Sequence, residues 1–348
     1  MNAAVIHTDE LASAPFAGAV LAHDVEVMTG DGRVRLRKGR LLRDEDAPVL
    51  AAAHRTLHII RLDDGDVHED AAARRLARSV AGAGVMIGEP HESMITLRAA
   101  QRGLLSVDAE RLLTVNCVPD MSVWTLYDAQ LVRENQAVAG VKVTPLVTHE
   151  EELQEAEQVA RGEDAVIRVL PFVHRRAGVL VREELIPAAG ERFREAITSK
   201  VEWFGSEVSE IVHAGNDVQS VSEAVRRLID GGADMVLCAG VTSTDPLDVT
   251  VQALDALGVR WEKRGVPAHP GSTYWLAYLG AVPILGMASC GMFSRATVLD
   301  LILPHFFAGQ RVDARMLAAL GHGGLLNKGM AYRFPDYASP EIAAADTE

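Results

Sequence analysis

The chain is short of cysteine: Cys117, Cys238 and Cys290 are the three in 348 residues, widely spaced and with no C-x-x-C pair. That excludes a disulfide framework and a cysteine-built structural zinc site, and the three read as reduced thiols. Positive charge is also scarce, with 34 Lys and Arg against 48 Asp and Glu and a net charge of −14. Nucleic acid and anionic membrane surfaces require basic patches that release counterions, so neither is an expected partner, and an anionic ligand needs local donors. No run approaches the roughly 18 continuous apolar residues of a membrane span. The N-terminus lacks the charged, then apolar, then small-residue order of a signal segment, so the expected location is the cytoplasm. Neither G-x-G-x-x-G nor G-x-x-x-x-G-K-[ST] occurs, which weakens a generic nucleotide-binding or phosphosugar enzyme.

What is present is an ordinary apolar content of 48% in a chain long enough for two or three domains. The most informative stretch is M-V-L-C-A-G-V-T-S-T-D-P-L-D-V-T, residues 235–250. An apolar strand from Met235 to Cys238 runs into a turn of small residues carrying the hydroxyls of Thr242, Ser243 and Thr244. Backbone N–H groups and hydroxyls beyond the carboxyl end of a strand suit a phosphate or a pterin. Asp245-Pro246 reads as an N-cap followed by proline at the first helical position, with Asp248 where a capping-box acid sits. Capping alone accounts for both acids, and a ligand role is the alternative.

Along the chain, residues 1–82 read as a β-rich module in which short β runs and the strand L-H-I-I-R-L precede the helical H-E-D-A-A-A-R-R-L-A-R-S-V. A second small α+β module spans 83–148, with a helix expected over S-M-I-T-L-R-A-A-Q-R-G-L-L. Residues 149–174 form a connection that begins with an acidic helix whose charges read as a solvated face. From 175 to 325, strands alternate with helices, which predicts a mostly parallel sheet in a three-layer α/β/α domain, and 326–348 is a tail. Ligands gather outside the carboxyl ends of such strands, which brings together loops 181–184, 239–248 and 287–291.

The ordered segments G-A-V-L-A-H-D-V (18–25), D-G-D-V-H-E-D-A-A (64–72), T-D-P-L-D-V-T (244–250), P-G-S-T-Y-W-L-A-Y-L-G (270–280), S-C-G-M-F (289–293) and G-H-G-G-L (321–325) carry a resemblance. The chain resembles the molybdopterin-binding proteins with a MoaB/Mog-type C-terminal domain, relatives of molybdopterin molybdenumtransferase. The resemblance implies a domain that binds molybdopterin, the phosphate-bearing tricyclic pterin of the molybdenum cofactor, or its adenylylated form. In transferase relatives the site helps insert molybdate while the adenylate is hydrolysed with a divalent cation, for which Mg2+ is one candidate. It further implies a homo-oligomer and service to a molybdoenzyme or another cofactor-synthesis protein.

Mapped on this sequence, the resemblance implies ligand contacts at Arg182, Glu184, Gly240, Thr242, Ser243, Asp245, Pro270, Gly271, Ser289 and Cys290, with Asp248 as catalytic residue and metal ligand. Three departures stand out. Val241 replaces the second glycine of a pair, and its branched side chain resists positive φ. Val181-Arg182-Glu183-Glu184 replaces a Thr-Gly-(Asn/Asp)-Glu run, leaving Glu184 as the matching acid and Arg182 as a bidentate phosphate clamp or an exposed structural arginine. Ala288-Ser289 replaces a Pro-Gly pair before Cys290, which is either a pterin contact or a buried inert thiol. Two functions follow: a molybdopterin-binding protein of cofactor biosynthesis that inserts molybdate, or a non-catalytic carrier or interaction protein on the same scaffold.

Overall fold

The computed structural model describes residues 2–11, 16–29, 32–53, 55–91, 93–182, 186–241, 244–287 and 296–337. The chain divides into two compact units, one of residues 1–101, 105–128 and 134–169, the other of 102–104, 129–133 and 170–348. The first unit is α+β. The strands Asn2–His7, Thr56–Arg61 and Val20–Leu21 form one antiparallel sheet, and Val25–Thr29 pairs with Gly32–Leu36. A four-stranded antiparallel sheet orders Met121–Thr125, Ala137–Val143, Met94–Ala99 and Val85–Ile87. The helices Glu69–Val80 and Glu150–Ala160 are tied by Arg75, which donates to Glu150 Oε2 at 2.6 Å and Glu157 Oε1 at 2.8 Å.

The helix expected over 93–105 is instead the strand Met94–Ala99 followed by the strand Gly103–Val107. Its composition is of good helix formers, but Ile95, Leu97 and Ala99 are buried while Met94 and Arg98 are exposed. That is a period of two, and pairing with Ala137–Val143 overrides local propensity.

The second unit is the α/β domain. Its elements are β1 (Arg176–Val181), α1 (Pro187–Glu202), β2 (Glu207–His213), α2 (Val218–Asp230), β3 (Met235–Ala239), α3 (Val249–Leu257), β4 (Arg260–Arg264), β5 (Trp275–Leu279), β6 (Val282–Met287), α4 (Val298–Phe307) and α5 (Ala314–Ala319). The six strands lie in the order β2-β1-β3-β6-β5-β4. The first four are parallel, and β5 and β4 continue the sheet antiparallel.

Burial on both faces explains why β1 and β3 read as unbroken apolar runs rather than as alternations. Val179, Val181, Leu237 and Ala239 face one core with Phe193, Ile197 and Val201 of α1 and Val298, Ile302 and Phe306 of α4. Leu180, Val236 and Cys238 face the opposite core with Val221, Val225 and Leu228 of α2 and Leu254 of α3. Each fully buried Val, Leu, Ile or Phe contributes about 1.5–3 kcal/mol relative to exposure, so these two interfaces define the three layers. One close approach needs glycine, since a Cβ on Gly286 would lie 1.9 Å from the Trp275 indole that crosses it, and one on Gly178 would fit tightly, 3.0 Å from Leu228. Among the described residues no helix is long and apolar enough to cross a membrane.

Candidate site at the carboxyl edge of the parallel strands

Register aligns the carboxyl ends of the parallel strands, because Val181 pairs with both His213 and Ala239, and Ala239 pairs with Met287. The chain leaves β1, β2, β3 and β6 at one edge. Backbone bonds continue a step beyond it: Ala214 N donates to Val181 O at 3.1 Å and Arg182 N to Ala239 O at 3.1 Å. Arg182 is thus fixed by sheet pairing at the point where β1 ends.

Its side chain is largely buried and reaches across the edge into three oxygens. Arg182 Nη1 donates to Asp248 Oδ1 at 2.5 Å and to Thr250 Oγ1 at 2.8 Å, and Nη2 donates to Asn216 Oδ1 at 3.1 Å. The side chains of Arg182 and Asp248 are 12% and 5% exposed. Nε is buried with no partner among the described residues. Removing one member of a buried ion pair costs about 3–5 kcal/mol, because the other charge stays buried without compensation. Sequence separation hid this pair, which joins the first loop of the site to the second.

The second loop starts at Gly240, whose φ of 75° suits glycine. Val241 has no positive φ and packs, partly buried, against the core on the α2/α3 side. The loop therefore accommodates the branched residue without strain at that position. Helix α3 begins later than the Asp-Pro signal predicts. Asp248, not Asp245, is its N-cap: Thr250 N donates to Asp248 Oδ1 at 2.8 Å. Asp245 is exposed and closes a turn by accepting from Leu247 N at 2.8 Å. Pro246 lies in that turn and leaves the helical N1 position to Val249.

The third loop, 269–271, lies at the same edge because Trp275, which opens β5, pairs with Gly286 near the end of β6. The His269–Pro270 peptide is cis. Val298 N donates to Pro270 O at 3.2 Å, and Gly271, with φ 112°, packs where a Cβ would meet Val298 at 3.0 Å. The G-H-G-G run holds the loop from the other side. His269 N donates to Gly324 O at 2.8 Å and Leu326 N to His269 O at 2.9 Å, while a Cβ on Gly324 would lie 2.5 Å from Pro267 O. His269 itself is exposed. Tyr274, at the end of this loop, is buried, and burial pushes its phenol well above the ordinary range; its hydroxyl has no partner among the described residues.

Of the residues the sequence singled out, the structure brings Arg182 and Asp248 into contact and sets Gly240, Asp245, Pro270 and Gly271 on loops of one edge. Glu184, Thr242, Ser243, Ser289 and Cys290 lie outside the described residues. Cys238 points into the α2/α3 core, and burial pushes its thiol up to about 12 despite the nearby Arg182 charge, so it stays protonated and unreactive. Among the described residues no group of three or more His, Cys, Asp or Glu is arranged to hold a metal ion. Sequence reasoning missed Asn216 and Thr250. Asn216 had a signal, since A-G-N-D follows the strand E-V-S-E-I-V-H just as the other loops follow theirs. Thr250 had none, because a threonine in the first turn of a helix reads as ordinary.

Residues 180–309 match the family model described as a probable molybdopterin binding domain. The match covers most of the α/β domain, from the end of β1 to the end of α4. Solved structures similar to the chain include a molybdopterin biosynthesis MoeA protein from Pyrococcus horikosii, with 12% identity, 91% of this chain and 75% of that one covered, and a TM-score of 0.33. A putative molybdenum cofactor biosynthesis protein from Corynebacterium diphtheriae is 14% identical, covering 40% of this chain and 100% of its own, with a TM-score of 0.28. The protein CinA of unknown function from Thermoplasma acidophilum is also 14% identical, covering 34% and 92%, with a TM-score of 0.28. No curated protein matches.

Proposed function

We propose, for a chain that carries a probable molybdopterin binding domain over residues 180–309, that it binds molybdopterin or its adenylylated form and acts in molybdenum-cofactor biosynthesis. The family match over the very segment that builds the loop edge is the observation that carries this reading. The geometry supports it: the edge offers a guanidinium, a glycine at positive φ and two rigidly tied loops around a place where parallel-sheet proteins take anionic ligands. The reading expects ligand contact at Arg182, Gly240, Asp245, Pro270 and Gly271, together with Glu184, Thr242, Ser243, Ser289 and Cys290.

Each residue then has a physical role. Gly240 lets the ligand approach the backbone, and Ser243 donates to a phosphate oxygen. Arg182 neutralises phosphate charge from a position fixed by Asp248, Thr250 and Asn216. The Pro270-Gly271 floor is stiff because α4 and the G-H-G-G run hold it. A divalent cation on Asp248 fits less well than the resemblance implies. The carboxylate is nearly buried, and one of its two oxygens, Oδ1, already takes a guanidinium and the N-cap amide. That arrangement favours the second reading, a cofactor carrier or interaction protein without molybdate insertion, over a full transferase. A homo-oligomer and a molybdoenzyme or cofactor-synthesis protein as partner belong to the same proposal.

Anaerobic isothermal titration with molybdopterin and with its adenylylated form tests binding. A dissociation constant below tens of micromolar is expected, a generous ceiling for a specific cofactor site, and no binding in that range would sink the proposal.

A further inference from the structure

We infer that Arg182 is a resident cation standing in for the divalent metal of this loop edge, so that the chain holds its phosphate-bearing ligand without Mg2+. The inference rests on the pterin reading for the identity of the ligand, and on the side-chain geometry for the rest. A hard divalent ion requires a set of oxygen ligands, about six for Mg2+, with carboxylates as the charged members. Among the described residues, three oxygens gather around Arg182: Asp248 Oδ1, Thr250 Oγ1 and Asn216 Oδ1, drawn from the cap of α3, its first turn and the loop after β2. All three already accept from one guanidinium, at 2.5, 2.8 and 3.1 Å. Asp248 Oδ1 also takes the Thr250 amide at 2.8 Å. An ion placed on that oxygen would displace a buried hydrogen bond and sit beside a fixed positive charge. Among the described residues nothing supplies a cluster of further metal-binding side chains.

The arrangement also has what an anion site needs. Arg182 is positioned by its own backbone bond to Ala239 and by three side-chain acceptors, so little ordering remains to be done when a ligand arrives. Three of the five guanidinium N–H groups are taken, which leaves Nε–H, buried and without an acceptor among the described residues, and one Nη2–H in excess of its partners. A phosphate oxygen at the edge is an acceptor for the remaining Nη2–H, beside the bond to Asn216. Asp248 is in this account a positioning residue that aims Arg182 and starts α3.

Two measurements on the full-length protein test this independently. In the first, Mn2+ alone at up to about 1 mM, a range that reaches weak oxygen sites, is followed by the EPR signal of the free ion. Wild type and Asp248→Asn should take up the same amount; one equivalent bound by wild type and lost in Asp248→Asn would overturn the inference. In the second, molybdopterin is titrated with EDTA and then with Mg2+, and its affinity should agree within about threefold, whereas a tightening of about tenfold or more on adding Mg2+ would contradict it. Arg182→Met should weaken the pterin by about 10–100-fold, as expected for a charge-assisted bond, with no rescue by Mg2+ and partial recovery in Arg182→Lys. Rescue of Arg182→Met by Mg2+ would count against the idea. If Arg182→Met does not fold, the wild-type and Arg182→Lys titrations still decide. A wild type that binds no pterin removes the functional reading alone, and the Mn2+ arm then decides the cation question.

Discussion

Replacing Asp300 with asparagine should destabilise the α/β unit far more than any surface change, and the structure sets the size of the effect. Asp300 is fully buried at the start of α4, beside Lys200 of α1, which is 2% exposed. One carboxylate oxygen receives Lys200 Nζ and the Tyr337 hydroxyl, the latter at 3.0 Å. The other accepts Thr297 N at 2.9 Å and Thr297 Oγ1 at 2.8 Å, which completes the capping box of α4. Asparagine keeps cap chemistry, so the perturbation falls mainly on the charge. It leaves a buried ammonium without its counter-ion, for which about 3–5 kcal/mol is the usual cost. For a unit of this size that is a fall in Tm of about 6–20 °C. Urea unfolding followed by tryptophan fluorescence reads the free energy, since Trp203 bonds Asp336 O next to Tyr337. A second variant, Lys200→Met with Asp300→Asn, removes both charges and should recover most of the loss. A change below about 0.5 kcal/mol in Asp300→Asn would refute the reasoning, as would a double variant no more stable than the single one. Because Val298 of the same helix end holds Pro270 and Gly271, the single variant should also weaken ligand binding at the edge.

Two other predictions concern stability. Burial raises the Glu69 carboxyl above its ordinary 4.5, against the opposing bond from Ser93 and the charge of His68. The folded state therefore holds that proton longer than the unfolded one, so the contribution is fully present below pH 4.5 and is lost as pH rises through the folded value. Urea midpoints measured across this window should fall with rising pH less steeply in Glu69→Gln than in wild type; identical slopes would remove Glu69 from the account. In Gly286→Ala the new Cβ meets the buried Trp275 ring at 1.9 Å, so overpacking should cost about 1–3 kcal/mol. Calorimetry that finds Gly286→Ala as stable as wild type would show that the indole has room to move.

The α/β domain was legible because its strands are buried on both faces and its helices are amphipathic, so runs such as 177–181 and 235–239 announce themselves and their alternation implies a parallel sheet. The 93–105 segment was not, because residues of good helix propensity occupy a strand whose period of two is settled by its neighbour Ala137–Val143. At the site, the loops could be placed from the sequence, since parallel strands deliver their carboxyl ends to one edge. What the side chains do there could not. Arg182 and Asp248 are 66 residues apart, and their ion pair follows from the register of β1 beside β3 rather than from any local pattern. The same holds for the start of α3: Asp245-Pro246 carries the stronger local signal, yet Asp248, which has both the cap bond from Thr250 N and the tertiary bond from Arg182, caps the helix. Lys200 is one basic residue three positions after Ile197 on an apolar stripe, and Asp300 has the position of a capping-box acid, so nothing local pairs the two.

The central claim, that the edge formed by the loops after β1 and β3 and before β5 binds the pterin, is tested most directly by anaerobic calorimetric titration of wild type and Arg182→Met with molybdopterin. Saturable binding to wild type below tens of micromolar, weakened by about 10–100-fold in Arg182→Met, is the predicted result. Absence of binding to wild type, or equal affinity in the two proteins, would contradict it.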